Sequence, residues 1–329
     1  MKFSKAWLQD YSKEELPGDN VLRNIITFNA FEVEAVDLYQ REDNTWDSIF
    51  DIKVLPNRAH DALGHRGMGK DIASLCGLTY VDPSEYYVSE GASSVVPTIT
   101  INDEKACTRF MGVRMDNVSV TDSPAWLKER LNAIGQKSIN SIVDITNYVQ
   151  FALNKPMHAY DAALIAGNSL TARFAVEGEK FMTLDEKELV LDSATLVIAD
   201  SEKPLGLAGI KGGKFSGVSA TTTSIILESA NFNPTLIRKT SQKYNIRTDA
   251  SKRFENELSN TLVEEGLRMT IALLQKLNPD ASISEIVDVY PHKEEEVVLS
   301  ISVAQVNRVL GTSYGSEDIE HVLRLLSFT

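Results

Sequence analysis

Apolar residues recur along residues 97–290 with two different spacings, which together predict a mixture of strands and helices. Short runs rich in β-branched and aromatic residues predict strands, namely PTITI, FMGVRM, SLTARFAV, ATLVIAD and TSIILES. Two longer segments have helical spacing, namely AWLKERLNAIG and TLVEEGLRMTIALLQKL. Many links between the strands are too short for a helical crossover, so neighbouring strands are expected to be antiparallel. The pattern therefore predicts an α+β fold with a central mixed or antiparallel sheet.

The segments on either side of this region predict smaller modules that flank the central sheet. Residues 1–88 contain short amphipathic segments, an acidic stretch and helical spacing over residues 68–75, which together indicate a small α/β module. The low-complexity run SEGASSVVPT links this module to a central domain over residues 89–290. Residues 291–329 contain a strand-like VVLSI and two helical segments separated at Gly311. The chain is thus predicted to be multi-domain.

Composition and charge narrow the classes of function. The chain has 329 residues, with 33 basic and 46 acidic side chains and a formal net charge of −13. This balance argues against a broad basic surface that wraps nucleic acid, although a site that admits only a nucleic-acid end remains compatible with it. No apolar run approaches the ~18 residues of a membrane span, and MKFSKAWLQDY lacks the apolar core of a signal peptide. Cys76 and Cys107 have no CxxC spacing, so we expect a cytoplasmic protein with no membrane partner and no metal.

Two glycine-rich stretches resemble nucleotide-binding loops without meeting their requirements. GHRGMGKD, residues 64–71, has the glycine and lysine spacing of a P-loop, but Asp71 replaces the hydroxyl that should meet the metal. A helix N-terminus in a tight turn is the favoured interpretation. GLAGIKGG, residues 206–213, lacks the G-x-G-x-x-G order, and its glycines indicate either close strand packing or the close approach of a ligand. The sequence also contains neither a G-x-S-x-G nor an HExxH motif.

Two polar residues in apolar surroundings are the candidates for chemistry. Glu228 follows the buried run at residues 225–227 and is predicted to end a strand, where its carboxylate needs an ion-pair partner or a polar ligand. His158 lies in PMHAYD, and a lone histidine in apolar surroundings is more often a satisfied core residue than a functional one. Pro156, with no N–H and a fixed φ, is suited to hold a loop that directs the imidazole into a pocket. Asp161 is expected to cap the following helix.

The motifs, in their order along the chain, resemble those of one family. MKFSKAWLQDY, FEVEAVD and LPNRAHDALGHRGMGKDIASL resemble the opening of bacterial phenylalanine–tRNA ligase beta subunits. Six further segments resemble, in order and spacing, motifs of the editing domain of that subunit. They are SINSIVDITNYVQFALNKPMHAYD, ARFAVEGEKFMTLDEKELVL, LVIAD, LAGIKGG, IILESANFNP and RTDASKRFE. SVAQVNRVLG and DIEHVLRLLSF resemble the start of the helical, winged-helix-like module that follows editing in the family. The resemblance covers nearly the whole chain.

The resemblance implies hydrolytic editing of tyrosine misacylated onto phenylalanine tRNA. His158 and Glu228 are expected to line the editing pocket, with Glu228 acting mainly as the acceptor for the tyrosine hydroxyl. The expected substrate-binding neighbours are Thr146, Asn147, Pro156, Ala159, Gly209 and Gly212. A site built to hydrogen-bond a hydroxyl rejects phenylalanine, because its polar groups would otherwise stay unpaired. His158 is expected to position the ester or the attacking water, with the terminal hydroxyl of the tRNA assisting.

The resemblance also implies partners and cofactors. The expected partners are the acceptor end of phenylalanine tRNA and the ligase alpha subunit, in an alpha2-beta2 heterotetramer. We expect no cofactor for this chain, whereas ATP and Mg²⁺ are implied for the complete ligase complex. Because the later modules of the family do not follow, the chain is expected to be an N-terminal fragment of a longer subunit. The alternatives are a structural beta-subunit scaffold with an inactive editing pocket and a protein-interaction module of the same fold.

Three features depart from the family pattern. A short acidic segment stands where many members carry an inserted tRNA-binding barrel. The motif RTDASKRFE lacks the usual arginine–glycine ending, and Lys211 in LAGIKGG stands where a methionine is common. These departures bear on the tRNA contacts and on one wall of the expected pocket.

Overall fold

Helices and strands alternate along the chain and form several separate sheets, so the predicted α+β class is confirmed. The computed structural model describes residues 1–84, 86, 88, 93, 95–295, 297–326 and 328. Half of the predicted linker SEGASSVVPT lies outside the described residues. The domain boundaries proposed from the sequence stay predictions.

The first module combines three helices with a three-stranded antiparallel sheet. Its elements are β1 (Lys2–Ser4), α1 (Lys5–Leu8), α2 (Asp19–Asn29), β2 (Glu32–Gln40), β3 (Trp46–Lys53) and α3 (His65–Cys76). The strand order is β1-β3-β2, and the acidic stretch of the sequence forms the β2–β3 hairpin. Leu22 and Ile26 lie one turn apart on α2 and are both buried in the core that joins helices and sheet.

The central region contains two five-stranded sheets and a separate hairpin. Its strands are β4 (Thr98–Ile101), β5 (Cys107–Asp116), β6 (His158–Asp161), β7 (Ser169–Phe174), β8 (Glu179–Met182), β9 (Glu188–Leu191), β10 (Leu196–Ala199), β11 (Pro204–Leu207), β12 (Lys211–Gly212), β13 (Ser224–Phe232), β14 (Ser282–Ile283) and β15 (Val287–Val289). Its helices are α4 (Ala125–Ala133), α5 (Ser141–Leu153), α6 (Pro234–Tyr244), α7 (Asp249–Phe254) and α8 (Thr261–Leu277).

The pairing of these strands is largely antiparallel, as the short links predicted. One sheet has the order β12-β11-β10-β7-β4, and the other has the order β14-β5-β13-β6 with β15 also paired to β5. Among the described strands, β4 and β7 form the one parallel pair. The hairpin is made by β8 and β9.

Strand β13 separates two apolar cores of the central region. Ile226 belongs to a strand-rich core shared with the other five-stranded sheet. Ile225 and Leu227 belong to a helix-rich core formed with α4, α5 and α8. Successive side chains of a strand point to opposite faces, so odd-numbered and even-numbered residues of β13 pack into different cores. Glu228 shares its parity with Ile226 and therefore faces the strand-rich side.

The last described segment is a pair of helices, α9 (Val303–Leu310) and α10 (Ser316–Leu325). Helix α9 ends at Gly311, which has the left-handed φ of 68° that favours glycine at this position. The prediction of a strand at VVLSI is wrong, because its residues form no strand, and Val298 is 85% exposed. A strand needs a hydrogen-bonded neighbour, and none of the described strands pairs with this segment.

Candidate functional site

Strand pairing places three polar side chains on one face of a sheet. Strands β6 and β13 are antiparallel, with Glu228 opposite His158 and Ile226 opposite Tyr160. Residues directly opposite each other on antiparallel strands share a face, as do residues two positions apart on one strand. His158, Tyr160 and Glu228 are therefore neighbours, although Tyr160 and Glu228 are 68 residues apart in the chain.

Two local predictions about these residues are wrong. His158 is the first residue of β6 rather than a loop residue, and Glu228 lies in the middle of β13 rather than at its end. The polar residues after Glu228 stay in the strand because they pair with β5 and have buried partners. For example, the Ser229 hydroxyl donates to the carbonyl oxygen of Val263 at 2.7 Å. These tertiary hydrogen bonds are not visible in the local sequence.

A cavity of about 80 Å³ lies on this face, between the two five-stranded sheets. Strands β6 and β13 form one wall, and β11, β12 and the turn between them form the opposite wall. The cavity is lined, among others, by Pro156, His158, Tyr160, Gly209, Gly212, Glu228 and Phe254. Five of the eight residues expected from the sequence thus meet in one place.

The other three expected residues lie away from the cavity lining. Thr146 and Asn147 lie within α5, and the Thr146 hydroxyl donates to the carbonyl oxygen of Val143 at 2.7 Å. Ala159 has the opposite parity to His158 on β6 and packs in the helix-rich core. In this structure these three residues have no contact with the space next to Glu228.

Glu228 is a buried carboxylate held by a short hydrogen bond. The side chain is 7% exposed, and the Tyr160 hydroxyl donates to its Oε2 atom at 2.5 Å. Burial raises the pKa of Glu228 to about 7, against the Tyr160 hydrogen bond and the Lys155 charge, which both lower it. Near neutral pH the carboxyl group therefore exchanges readily between its charged and neutral forms. A pKa shifted by burial beside a specific partner is typical of functional sites.

Lys155 is a second buried charge beside the cavity. It is fully buried, its ammonium group donates to the carbonyl oxygen of Ala230, and its Nζ atom lies 5.0 Å from the centroid of the Phe254 ring. Burial lowers the pKa of Lys155 to about 7, while the electrostatic interactions with Cys107 and Glu228 raise it. A carboxylate and an ammonium group thus share one apolar region, where each favours the charged form of the other.

Tyr160 in the lining of the cavity and Lys155 beside it were not predicted from the sequence. Tyr160 follows His158 by two positions. Its place on the same face as Glu228 could be predicted only if PMHAYD had been assigned to a strand. Lys155 precedes Pro156 in a run that gives no sign of burial, because lysines are rarely buried. The omission of Tyr160 therefore comes from the wrong assignment of residues 158–161 as a loop, whereas Lys155 does lie outside β6.

His158 is a half-buried imidazole at the wall of the cavity. Its ring meets the Tyr160 ring edge-on, with 4.5 Å between centroids. Burial lowers the pKa of His158 to about 4, so the ring is neutral at neutral pH. Within the described part of the chain, no group is hydrogen-bonded to either ring nitrogen of His158. A neutral ring at a cavity wall is suited to donate or accept one hydrogen bond from a ligand or a water.

The glycines of GLAGIKGG are required by close packing around the cavity. A Cβ atom at Gly212 would lie 2.7 Å from Cε1 of His158. Gly209 has a φ of 66°, and a Cβ atom there would lie 2.9 Å from both Phe232 and Phe254. Packing thus accounts for Gly209, whereas Gly212 leaves the space that the His158 ring occupies.

Lys211 and Asp161, which were also singled out in the sequence, both have partners within the protein. Lys211, the departure from the family pattern, lines the same cavity, and its ammonium group pairs with the Asp185 carboxylate at 2.7 Å. Asp161 caps the one-turn 3-10 helix that follows β6, because its side chain accepts from the Ala163 N–H at 3.0 Å. The expected capping role of Asp161 is confirmed.

The near P-loop GHRGMGKD forms a helix start, as the sequence favoured. Gly64 immediately precedes α3, and a Cβ atom there would lie 2.6 Å from the backbone nitrogen of Asn154. A Cβ atom at Gly69 would lie 2.7 Å from Cβ of Tyr11. Asp71 accepts a hydrogen bond from Arg58 at 2.6 Å. Close packing of α3 therefore explains these glycines.

The described residues contain neither a cluster of metal ligands nor a helix that could span a membrane. No group of three or more histidine, cysteine, aspartate or glutamate side chains in the described ranges could hold a metal ion. Of the helices in the part of the chain that the structure describes, none has the length and apolar character needed to cross a membrane.

Comparisons with known proteins agree with the motif order. The family model of the B3/4 domain matches residues 106–279. The chain is 36% identical over 282 residues to a phenylalanine–tRNA ligase beta subunit from Clostridium acetobutylicum, covering 85% of this chain and 36% of that protein. It is 39% identical over 277 residues to the beta subunit from Bdellovibrio bacteriovorus, covering 84% and 34%. The chain spans about a third of the length of these curated relatives.

A solved structure shows a weaker similarity over most of the chain. It is the crystal structure of an N-terminal fragment of the phenylalanyl-tRNA synthetase beta subunit from Pyrococcus horikoshii, with a TM-score of 0.48 and 12% identity. The alignment covers 99% of this chain and 88% of that one. The family model and the sequence relatives confirm the resemblance seen in the motifs. The chain therefore belongs to the B3/4 domain family, and its curated relatives are phenylalanine–tRNA ligase beta subunits.

Proposed function

We propose that this chain removes tyrosine from misacylated phenylalanine tRNA by hydrolysis of the aminoacyl ester. The observation that carries the proposal is the meeting of a buried carboxylate, Glu228, and a neutral imidazole, His158, in one cavity. The relatives supply the context, because they are named phenylalanine–tRNA ligase beta subunits.

Glu228 accounts for the choice of tyrosine over phenylalanine. A tyrosine side chain in the cavity brings a phenol hydroxyl that donates to the carboxylate, whereas phenylalanine leaves the buried carboxylate without that donor. Sites built to hydrogen-bond a substrate hydroxyl reject the analogue that lacks it by ~10⁴–10⁵-fold. The burial of Glu228 makes the loss of a donor costly, which is the source of this discrimination.

His158 acts in the proposed reaction by positioning. A water molecule attacks the ester carbonyl carbon, the bond from this carbon to the terminal ribose oxygen breaks, and that oxygen takes up a proton. With a pKa of about 4, the His158 ring is neutral at pH 7 and is a weak base. It therefore orients the water or the ester through one ring nitrogen, while a hydroxyl of the terminal ribose assists in proton transfer.

The proposed activity belongs to a larger assembly. We infer that the acceptor end of phenylalanine tRNA enters this cavity and that the ligase alpha subunit joins the beta subunit in an alpha2-beta2 heterotetramer in the cytoplasm. ATP and Mg²⁺ serve aminoacylation in that complex and have no role in ester hydrolysis by this chain. The net charge of −13 is compatible with a site that receives only the tRNA end.

The test compares hydrolysis of tyrosyl and phenylalanyl esters of phenylalanine tRNA by the purified chain. The parent chain is expected to hydrolyse the tyrosyl ester above its spontaneous rate. Glu228→Ala is expected to lower that rate while the small rate on the phenylalanyl ester persists or rises, because the carboxylate serves selection more than turnover. An equal loss on both esters would assign Glu228 to catalysis or to structure instead.

A beta-subunit scaffold with an inactive pocket is the second candidate, and the size of the cavity favours it. The volume of about 80 Å³ is smaller than the ~150 Å³ of an apolar void that admits benzene, so the cavity encloses a whole phenol ring only if its walls move. If the parent chain shows no hydrolysis over a range of chain concentrations, with tRNA binding intact, the scaffold is the function. Absence of both hydrolysis and tRNA binding would indicate a protein-interaction module.

A further inference from the structure

Tyr160 binds one of the two carboxylate oxygens of Glu228, the group on which the proposed selection of tyrosine depends. Its ring is 2% exposed, and its hydroxyl donates to Oε2 of Glu228 at 2.5 Å. The bond runs diagonally between β6 and β13, because Tyr160 is opposite Ile226, two residues before Glu228. A phenol of the protein itself is thus bound to the carboxylate that is proposed to receive the phenol of the substrate.

The other oxygen of Glu228 has no such partner. Among the described residues, none donates a hydrogen bond to Oε1 of Glu228, and the Glu228 side chain lines the cavity. An ionised carboxylate accepts several hydrogen bonds, so occupation of Oε2 leaves Oε1 able to accept from a ligand. The two oxygens therefore have different surroundings, one fixed by the protein and one next to the cavity.

We propose that Tyr160 is a positioning residue that sets the specificity of the site, by holding Glu228 so that Oε1 alone is offered to a ligand hydroxyl. The inference rests on the proposed function, since it names the residue that tunes its selectivity. The Tyr160 hydroxyl is bound to Glu228 in this arrangement, so it acts on a ligand through the carboxylate. The Tyr160 ring also meets the His158 ring edge-on, with 4.5 Å between the ring centroids. One side chain therefore orients both polar groups of the cavity.

Tyr160 also affects the charge of Glu228. The titratable groups that face this carboxyl group are Tyr160 and His158 on β6, Lys155 in the segment before it and Cys107 on β5. Tyr160 and Lys155 lower the pKa of Glu228, while burial raises it. Loss of the Tyr160 hydroxyl therefore raises the pKa further, so that less of the carboxyl group is ionised at pH 7. Since the ionised form is the stronger acceptor, selection for a hydroxyl should then require a higher pH.

The experiment measures the ratio of tyrosyl to phenylalanyl ester hydrolysis across the pH range for the parent chain and Tyr160→Phe. The variant is expected to lower the ratio at pH 7 by about tenfold and to move the midpoint of its pH dependence upward. Tyr244→Phe is the matched control, because it removes a phenol hydroxyl that contacts Thr195 at 3.0 Å outside the cavity lining. The control should change neither the ratio nor the midpoint.

A direct titration makes the inference independent of turnover. The ¹³C carboxyl resonance of Glu228, identified by its loss in Glu228→Gln, should titrate near pH 7 in the parent and higher in Tyr160→Phe. If Tyr160→Phe fails to fold, fluorotyrosine at position 160 replaces it. Fluorotyrosine is a stronger donor of the same shape, so it should move the titration to lower pH.

The outcomes separate this inference from the proposed function. If the parent does not prefer the tyrosyl ester, the proposed function fails, whatever the carboxyl titration shows. If the parent prefers that ester and Tyr160→Phe retains the same ratio, midpoint and Glu228 titration, the positioning role of Tyr160 is overturned. A lower ratio with an unmoved titration would also overturn it, because Tyr160 would then serve only packing.

Discussion

His65 and His158 are both carried on buried elements, yet their surroundings differ in a decisive way. His65 opens α3 and is fully buried, its ring stacked on Trp7 with 3.8 Å between centroids. Its Nδ1 atom lies 2.9 Å from the carbonyl oxygen of Phe151, and its Nε2 atom accepts from the N–H of Ser4 at 3.4 Å. The ring of His158 has no hydrogen-bonded neighbour among the described residues and lies at a cavity wall.

The comparison shows that burial alone does not separate a structural histidine from a site histidine. Burial lowers the pKa of both rings, to about 3 for His65 and to about 4 for His158, so both are neutral at pH 7. The difference is in their hydrogen bonds. The ring of His65 uses both nitrogens within the protein, whereas none of the described residues is hydrogen-bonded to the ring nitrogens of His158.

The largest expected effect is the loss of stability in His65→Ala. The substitution removes a stacked ring and leaves the Phe151 carbonyl and the Ser4 N–H without partners, which should cost roughly 3–5 kcal/mol of unfolding free energy. His158→Ala should cost less than about 1 kcal/mol, because no hydrogen bond is lost. Urea unfolding of both variants measures the difference.

Activity should show the reverse order for the same two variants. His158→Ala is expected to reduce hydrolysis of the tyrosyl ester substantially, whereas His65→Ala, assayed below its unfolding temperature, should retain it. If His158→Ala destabilises the chain as much as His65→Ala does, the contrast between the two sites is wrong.

The pH dependence of stability sharpens the contrast. In the unfolded chain both histidines take up a proton near pH 6.5, whereas in the folded chain His158 does so only near pH 4 and His65 near pH 3. The unfolded state therefore binds more protons below pH 6.5, and the unfolding free energy falls as the pH drops, by about 1.4 kcal/mol per pH unit for each histidine. For His158 this loss should end near pH 4, and for His65 near pH 3.

Substitution by glutamine isolates each contribution. His158→Gln should flatten the stability profile between pH 6.5 and pH 4 only, and His65→Gln should flatten it down to pH 3. Thermal unfolding at a series of pH values measures both profiles. Profiles for the variants that run parallel to the parent would contradict the neutral state of the folded rings.

Alanine substitutions at two glycines near these histidines should give a smaller difference in stability. A Cβ atom at Gly64 would lie 2.6 Å from a backbone nitrogen, so Gly64→Ala should cost roughly 1–3 kcal/mol. At Gly212 the Cβ atom would meet the end of the His158 side chain rather than backbone, so Gly212→Ala should cost less stability than Gly64→Ala and should reduce hydrolysis. Gly217→Ala is the control for both, because its nearest contact would be an ordinary 3.9 Å.

The smallest expected effect is that of Lys70→Ala in the near P-loop. Packing explains the glycines of this stretch, and Asp71 is engaged by Arg58, so the variant should retain the hydrolysis rate of the parent. Calorimetry with ATP should detect no binding to either chain. Saturable ATP binding that is abolished by Lys70→Ala would restore the P-loop interpretation.

The sequence predicted more of the fold than of the site. The α+β class and the helix start at Gly64 followed from apolar spacing and glycine placement, and the structure agrees with both. His158 and Glu228 were singled out, and the structure brings them together. Tyr160 and Lys155 were missed, because each is linked to β13 by contacts across about 70 residues of chain. Local patterns hold no information on which distant strand a residue will face.

The sequence by itself determined the alternation of apolar residues, the turn glycines and the motif order that indicates the family, since all of these depend on neighbours along the chain. Only the tertiary structure decided that Glu228 lies mid-strand beside Tyr160 and that His65, rather than His158, has its ring nitrogens satisfied. The physical reason is that charge state and hydrogen-bond satisfaction depend on burial and on partners brought close by strand pairing. These partners are set by the register of β6 on β13, which no single segment encodes.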